Sequence, residues 1–197
     1  GALALAERET CQWDQSEPHL QQLRDLVAAL TPDSAVDATL FTHATLMDDP
    51  LHQLSVARAM TNRWRTFQPV DRRTASGASH GRIRLGYLSG DFHAHATCVL
   101  MAEVFEHHDK NRFEVFAYSH GPDERSIMRT LVESAIEHFI DTRSMSSLDM
   151  ARRIADDQID VLIDLKGHTS GNRLEVLAYR PAPVQATFLA FPGTTGA

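Results

Sequence analysis

The chain has 197 residues, 43% of them hydrophobic and 23% charged, with a net charge of −7 at neutral pH. That length suits one medium domain, or a small helical piece joined to one domain, and the composition excludes disordered and collagen-like architectures. Lys and Arg cluster only in short pairs such as Arg72-Arg73 and Arg152-Arg153, so the basic face that a nucleic-acid partner requires is missing. No apolar stretch approaches the roughly 20 residues that span a bilayer. Gly1 to Ala6 is apolar but too short, and lacks the basic flank of a signal peptide. The expectation is a cytoplasmic protein with no membrane and no nucleic-acid partner.

Residues 1–67 read as helical from the spacing of their apolar side chains. Leu20, Leu23, Leu26, Val27 and Leu30 fall on one helical face, with Ser16 as the expected cap and Pro18 in the first turn. Asp49-Pro50 is a second start signal, followed by the stripe Leu51, Leu54, Ala57, Met60 and Trp64. The intervening Phe41-Thr42-His43-Ala44-Thr45-Leu46 carries no clear pattern. Residues 68–81, with scattered Pro, Gly and Ser, read as a linker or surface loop. Cys11 and Cys98 fit neither a metal-ligand spacing nor a disulfide framework, and are expected to be two buried free thiols.

From Arg82 the pattern changes to strands alternating with single helices. Strands are expected at 83–88, 113–118, 138–140, 161–165 and 184–191, with helices at 98–105, around 127–135, at 148–155 and at 173–179. Such alternation predicts an α/β fold: a Rossmann-like parallel sheet over 82–197, preceded by an α-helical segment. The apolar run Val161-Leu162-Ile163 reads as a central strand buried on both faces. The loop after the first strand, SGDFHAHAT, is not the glycine fingerprint of dinucleotide binding, which disfavours nicotinamide and flavin enzymes.

Ligands of open parallel sheets sit beyond the carboxyl ends of the strands, and the chemically unusual residues collect there. The first strand leads into Gly90-Asp91-Phe92-His93-Ala94-His95-Ala96-Thr97, and the fourth into Lys166-Gly167-His168-Thr169-Ser170-Gly171. The fifth leads into Pro192-Gly193-Thr194-Thr195-Gly196. His93 and His95 alternate, so an extended loop would point them to opposite sides. An imidazole here suits proton removal from a hydroxyl nucleophile, and Asp91 is placed to orient it or to act in its place. The other reading of the same residues is that Asp91 caps the following helix and both histidines are solvated. Lys166 suits a phosphate or carboxylate as a point charge, or is an ordinary loop lysine. A zinc site from His93, His95 and His168 lacks a supporting carboxylate or thiolate. There is no Asp-x-Asp frame for a divalent ion, so chemistry without a metal or other cofactor is expected.

The ordered set of segments resembles the protein O-GlcNAc transferases. It runs through 82–92 (RIRLGYLSGDF), 113–118 (FEVFAY), 167–173 (GHTSGNR), 180–186 (RPAPVQA) and 191–197 (FPGTTGA), covering residues 82–197 almost throughout. Residues 11–14 (CQWD) and 43–46 (HATL) are similar to that family's transition from tetratricopeptide superhelix to catalytic region. The resemblance implies a two-lobed GT-B-type glycosyltransferase. It would move N-acetylglucosamine from UDP-GlcNAc to Ser or Thr hydroxyls of proteins, with inversion and without a metal. By the same resemblance His95 matches the family's proposed catalytic base, and Asp91 an aspartate proposed to assist. His43, Thr45, Thr97, Lys166, Gly167, His168, Thr169, Pro192, Gly193 and Thr194 are the substrate-side candidates. Ala96 stands where the family often has proline, and His93 where it often has a small residue. The chain is then expected to stop before the nucleotide-binding lobe, which would be its partner, along with protein or peptide acceptors. Two other functions fit less of the pattern: a related transferase with a different sugar or acceptor, and a non-catalytic protein-interaction module.

Overall fold

The computed structural model describes residues 1–31, 34, 39–72 and 81–196. The chain divides into two compact units, one made of Gly1–Thr66 with Phe191–Ala197, the other of Phe67–Ala190. The carboxyl-terminal loop thus packs with the helices rather than with the sheet.

The helical unit contains α1 (Ala2–Glu9), α2 (Trp13–Ala28), α3 (Leu40–Leu46) and α4 (Pro50–Asn62). Helix α2 begins one turn earlier than its sequence suggests. Gln12 holds the cap position, Ser16 Oγ donates back to the Trp13 carbonyl at 2.9 Å, and Pro18 lies inside the helix. The predicted start at Asp49-Pro50 is observed: Asp49 Oδ1 accepts from the amides of Leu51 and His52, and Pro50 occupies the first turn, where its missing N–H has no intrahelical partner to lose. The unpatterned segment is a helix, α3, capped by Thr39, whose Oγ1 accepts from the Thr42 amide at 3.2 Å.

Which face is buried departs from the apolar count. In α4 the buried residues are His52, Val56, Ala57 and Thr61, while Leu51 is exposed; in α2 Leu26 is exposed beside buried Leu20, Leu23 and Val27. Polar residues enter the helical core where their polar atoms are satisfied. His43 Nδ1 lies 3.0 Å from His52 Nε2, and Thr61 Oγ1 donates to the Ala57 carbonyl at 3.0 Å. Burial, with the neighbouring His52, lowers the His43 pKa to about 4. Cys11 is exposed, contrary to the expected burial, because it sits at φ 57° in the turn between α1 and α2; Cys98 is buried as expected.

The second unit holds β1 (Ile83–Ser89), α5 (Ala96–Glu106), β2 (Phe113–Ser119), α6 (Ile127–Ala135), β3 (His138–Asp141), α7 (Ser147–Asp156), β4 (Val161–Asp164), α8 (Glu175–Ala178) and β5 (Val184–Thr187). All strand pairs are parallel and the order is β3-β2-β1-β4-β5. The Rossmann-like sheet is therefore present, with the last strand and helix shorter than predicted. The central strand is β1, buried from Leu85 to Ser89, whereas β4 alternates between buried and half-buried positions. Leu85, Tyr87, Val115 and Ala117 point to one face and pack with Cys98, Met101 and Phe105 of α5 and Val132 of α6. Leu88, Phe116, Tyr118 and Leu162 point to the other and meet Met150, Ala151 and Ile154 of α7 and Val176 of α8. The amino end of the predicted linker is pinned: Phe67 stacks on Tyr179 and the Val70 amide donates to the Tyr179 carbonyl at 2.8 Å. Residues 73–80 of that segment lie outside the described residues.

This layering makes one quantitative expectation. Ile154→Ala opens a cavity in the α7 face and costs about 2–5 kcal/mol of unfolding free energy. Ile127→Ala, at a side chain 82% exposed, changes it by no more than about 0.5 kcal/mol. Urea denaturation of the two variants beside the parent checks both.

Candidate functional site

In the strand order β3-β2-β1-β4-β5, β2 and β3 lie to one side of β1 while β4 and β5 lie to the other. Crossovers therefore diverge from the β1–β4 pair, which is the topological switch point where a crevice opens in such sheets. The loop after β1 supplies Asp91 and the loop after β4 supplies Lys166. Lys166 Nζ donates to Asp91 Oδ1 at 2.6 Å and to Oδ2 at 2.8 Å, and both side chains are under a tenth exposed. The pair is thus bidentate and buried.

The β1 loop is not extended. The His93 amide donates to the Asp91 carbonyl at 2.8 Å and the His95 amide to the His93 carbonyl at 2.7 Å, so successive tight turns coil the segment. As a result the two histidines do not point apart: their rings lie 5.7 Å from each other, and each reaches toward the Asp91 carboxylate, His93 Nε2 at 4.0 Å and His95 Nδ1 at 3.7 Å. Asp91 does not cap α5. That role falls to His95, whose Nδ1 accepts from the Thr97 amide at 3.2 Å, with Thr97 Oγ1 at the same distance. Thr97 itself is buried, and Cys98 Sγ donates to the Asp91 carbonyl at 3.0 Å. The His95 side chain is 44% exposed, so it can meet a ligand while Asp91 cannot do so without moving.

The β4 loop folds on its own side chains. The Gly167 amide donates to Asp164 Oδ2 at 2.6 Å with Gly167 at φ 53°, and Thr169 Oγ1 donates to the Lys166 carbonyl at 2.9 Å. His168 is buried beside it. A third loop, after β2, presses on the same end of the sheet. The His120 amide donates to the Ser89 carbonyl at 3.1 Å, and a Cβ on Gly121 would fall 1.7 Å from the Gly90 carbonyl oxygen, so only glycine fits there. Asp91, His95, Thr97, Lys166, Gly167, His168 and Thr169 are thus all on the carboxyl-terminal rim of the sheet.

The other sequence candidates belong to the helical unit. His43 is buried against His52, and Thr45 is exposed, its hydroxyl donating to the Thr42 carbonyl. Gly193 lies close to Phe191 and Gln53, and Thr194 Oγ1 accepts from the Gly196 amide at 3.2 Å; Pro192 precedes them in the same loop.

Two residues on the sheet rim were not singled out from the sequence. His120 has its pKa lowered to about 4, first by burial and then by the Arg173 and Lys166 charges, and its Nε2 has no hydrogen-bond partner among the described residues. Asp164 has its pKa raised to about 6 by burial, against the pull of the Gly167 and Lys166 amides, and its Oδ1 is likewise without a partner among the described residues. An aspartate inside the apolar run Val161-Leu162-Ile163-Asp164-Leu165 was the visible signal for the second; His120 carried none. A cavity of about 560 Å³ lies elsewhere, lined by Arg84, Glu114, His138 and Asp157 among others near the amino ends of the strands. Its two arginines are already paired, Arg84 with Glu114 at 3.1 Å and Arg153 with Asp157 at 2.8 Å, so it is not the preferred site.

The profile of glycosyl transferase family 41 matches residues 52–197. The probable UDP-N-acetylglucosamine–peptide N-acetylglucosaminyltransferase SEC of Arabidopsis thaliana is 43% identical over 116 residues, which is 59% of this chain and 12% of that protein. The UDP-N-acetylglucosamine–peptide N-acetylglucosaminyltransferase of Caenorhabditis elegans is 39% identical over 117 residues, 59% of this chain and 10% of that protein. Among solved structures, a lysine-to-methionine mutant of Thermobaculum terrenum O-GlcNAc transferase superposes with a TM-score of 0.71 at 28% identity, covering 91% of this chain and 35% of that one. The chain thus spans only about a tenth of the length of these curated relatives.

Two outcomes follow from the buried rim. Lys166→Met leaves the Asp91 carboxylate buried and unpaired and costs about 3–5 kcal/mol, most of which Asp91→Asn/Lys166→Met recovers; equilibrium unfolding of the three proteins measures this. The pH dependence has two opposed parts. The lowered His120 contributes stability that is complete above the ordinary histidine pKa of 6.5 and is lost as pH falls toward about 4. The raised Asp164 contributes stability that is present below 3.8 and is lost as pH rises through about 6. Asp164→Asn removes only the second part, so the unfolding free energy of that variant rises more steeply between pH 4 and 6 than that of the parent.

Proposed function

This chain belongs to glycosyl transferase family 41, and on that premise we propose that it is the acceptor-side part of an inverting transferase that moves N-acetylglucosamine from UDP-GlcNAc to Ser or Thr hydroxyls of proteins. The observation that carries the reading is the 39–43% identity to peptide N-acetylglucosaminyltransferases, each over more than a hundred residues. The reaction runs without a metal or other cofactor, consistent with a sequence that has no Asp-x-Asp frame. The GT-B arrangement makes a second, nucleotide-binding lobe the partner of this one, and a cytoplasmic location fits a protein in which no described helix is long and apolar enough to cross a membrane.

In this reading the acceptor hydroxyl meets the rim at His95. A general base must reach the proton it removes, and the exposed imidazole satisfies that better than the buried, lysine-bound carboxylate of Asp91. Asp91 supports it from behind. Thr97, Lys166, Gly167, His168 and Thr169 shape the sheet side of the substrate site. For His43, Thr45, Pro192, Gly193 and Thr194, which belong to the helical unit, a role toward substrate rests on the family resemblance alone.

His95→Ala in the full-length enzyme is expected to lower transfer to an acceptor peptide by about 10²–10⁴-fold, the usual contribution of a general base. UDP binding should stay within about twofold, because the nucleotide is held by the other lobe. Radiolabelled sugar transfer and calorimetric UDP titration check the two halves; turnover equal to that of the parent removes His95 from the mechanism.

A further inference from the structure

Two donor-capable groups of one residue converge on a single ring nitrogen of His95. The Thr97 backbone amide and the Thr97 hydroxyl are each 3.2 Å from Nδ1. A backbone N–H can only donate, so Nδ1 carries the lone pair, and in the neutral ring the proton sits on Nε2. In that tautomer Nε2 offers a hydrogen bond to an oxygen but has no lone pair with which to take a proton. The opposite tautomer also has a partner within reach, because Asp91 Oδ2 is 3.7 Å from the same Nδ1. The helix terminus and the carboxylate therefore compete for one nitrogen. What weakens the carboxylate in that competition is Lys166, whose ammonium holds both of its oxygens.

We propose that Lys166 is a positioning residue that acts through Asp91 to hold His95 in a resting tautomer, with Nδ1 on the amino end of α5 and the proton on Nε2. The inference rests on the reading of His95 as the group that meets the acceptor hydroxyl. While the Lys166–Asp91 pair is closed, His95 receives an acceptor oxygen as a donor. When the pair opens, Nε2 gives its proton to water, Nδ1 takes one from water and keeps it in a hydrogen bond to the Asp91 carboxylate, and the lone pair is then on Nε2. The acceptor hydroxyl proton can then pass to Nε2, leaving an imidazolium whose Nδ1–H is held by the carboxylate. Lys166 thus decides, through Asp91, whether the imidazole binds an oxygen or activates it.

Long-range proton–nitrogen NMR of this chain, at a pH where His95 is neutral, reads the tautomer directly. The parent is expected to show a protonated Nε2 and an unprotonated Nδ1. Lys166→Gln, which keeps an amide donor for Asp91 but removes the charge, is expected to shift the tautomer ratio about tenfold toward Nδ1–H, the usual strength of a hydrogen bond to a charged group. Lys166→Arg should keep the parent tautomer, and so should Asp91→Asn/Lys166→Gln, in which neither charge remains. A parent ring protonated on Nδ1 overturns the proposal even if Lys166→Gln fails to fold. An unchanged ratio in folded Lys166→Gln overturns it as well, as does a shifted ratio in the double variant, which would mark a structural disturbance. These readings do not depend on sugar transfer, so loss of the proposed function and loss of the tautomer control are separate results.

Discussion

The ion pair between Asp91 and Lys166 ties together the two loops that the sheet topology drives apart. Strands β1 and β4 are hydrogen-bonded neighbours, yet the chain leaves them toward opposite sides of the sheet, so nothing in the backbone ladder holds their following loops together. A carboxylate from one and an ammonium from the other close that gap at 2.6 and 2.8 Å in a place where both side chains are under a tenth exposed. Burial makes the pair obligatory rather than generous: each partner would be strongly disfavoured alone, and the net stabilisation over an apolar pair is small. Its value lies in fixing geometry. With Asp91 immobile, the coiled segment that follows it has one anchored end, and the amino terminus of α5 supplies the other.

The same rim shows how a protein keeps several titratable groups in one crevice. His120 is driven toward its neutral form by burial and by the Arg173 and Lys166 charges, and Asp164 is pushed toward its neutral acid by burial. The helical unit repeats the device in His43, which burial and His52 keep uncharged. On the sheet rim, the buried Asp91 and Lys166 charges compensate one another. His95, on the outer side of this arrangement, combines a side chain 44% exposed with a carboxylate neighbour in Asp91.

The order of elements was legible in the sequence because alternation of apolar strands with single amphipathic helices leaves few topologies open. Where the reading slipped, a tertiary contact had overruled a local count. His52 and Thr61 lie in the core of the helical unit while Leu51 faces water, since hydrogen bonds to His43 and to the Ala57 carbonyl make the polar face acceptable inside. Strand β1, rather than the more uniformly apolar β4, is central; its Gly86, Tyr87 and Ser89 disguise the burial that the order of strands imposes. The loops after β1 and β4 do lie together on the rim, whereas Pro192, Gly193 and Thr194, expected on the same rim, belong to the helical unit; the relations among the rim residues were not readable. Asp91 and Lys166 are 75 positions apart, and no local pattern announces that one neutralises the other. The inference that His93 and His95 point apart assumed an extended segment, and the tight turns at 93 and 95 remove that premise.

Those turns also give one nitrogen two duties. A histidine at a helix cap position is an ordinary solution to the unsatisfied amides of a first turn, and an imidazole facing a crevice is an ordinary proton acceptor. Both cannot be done at once by the same neutral ring, because a capping Nδ1 forces the proton onto Nε2. Proton removal by Nε2 of His95 must therefore include a change at the amino terminus of α5 or a change at Asp91. The Asp91 route displaces less structure, since Oδ2 is 3.7 Å away and α5 retains the Val99 amide bond to the His95 carbonyl. A site built this way rests with its base disengaged, and the group that keeps it disengaged is a lysine on the neighbouring strand's loop.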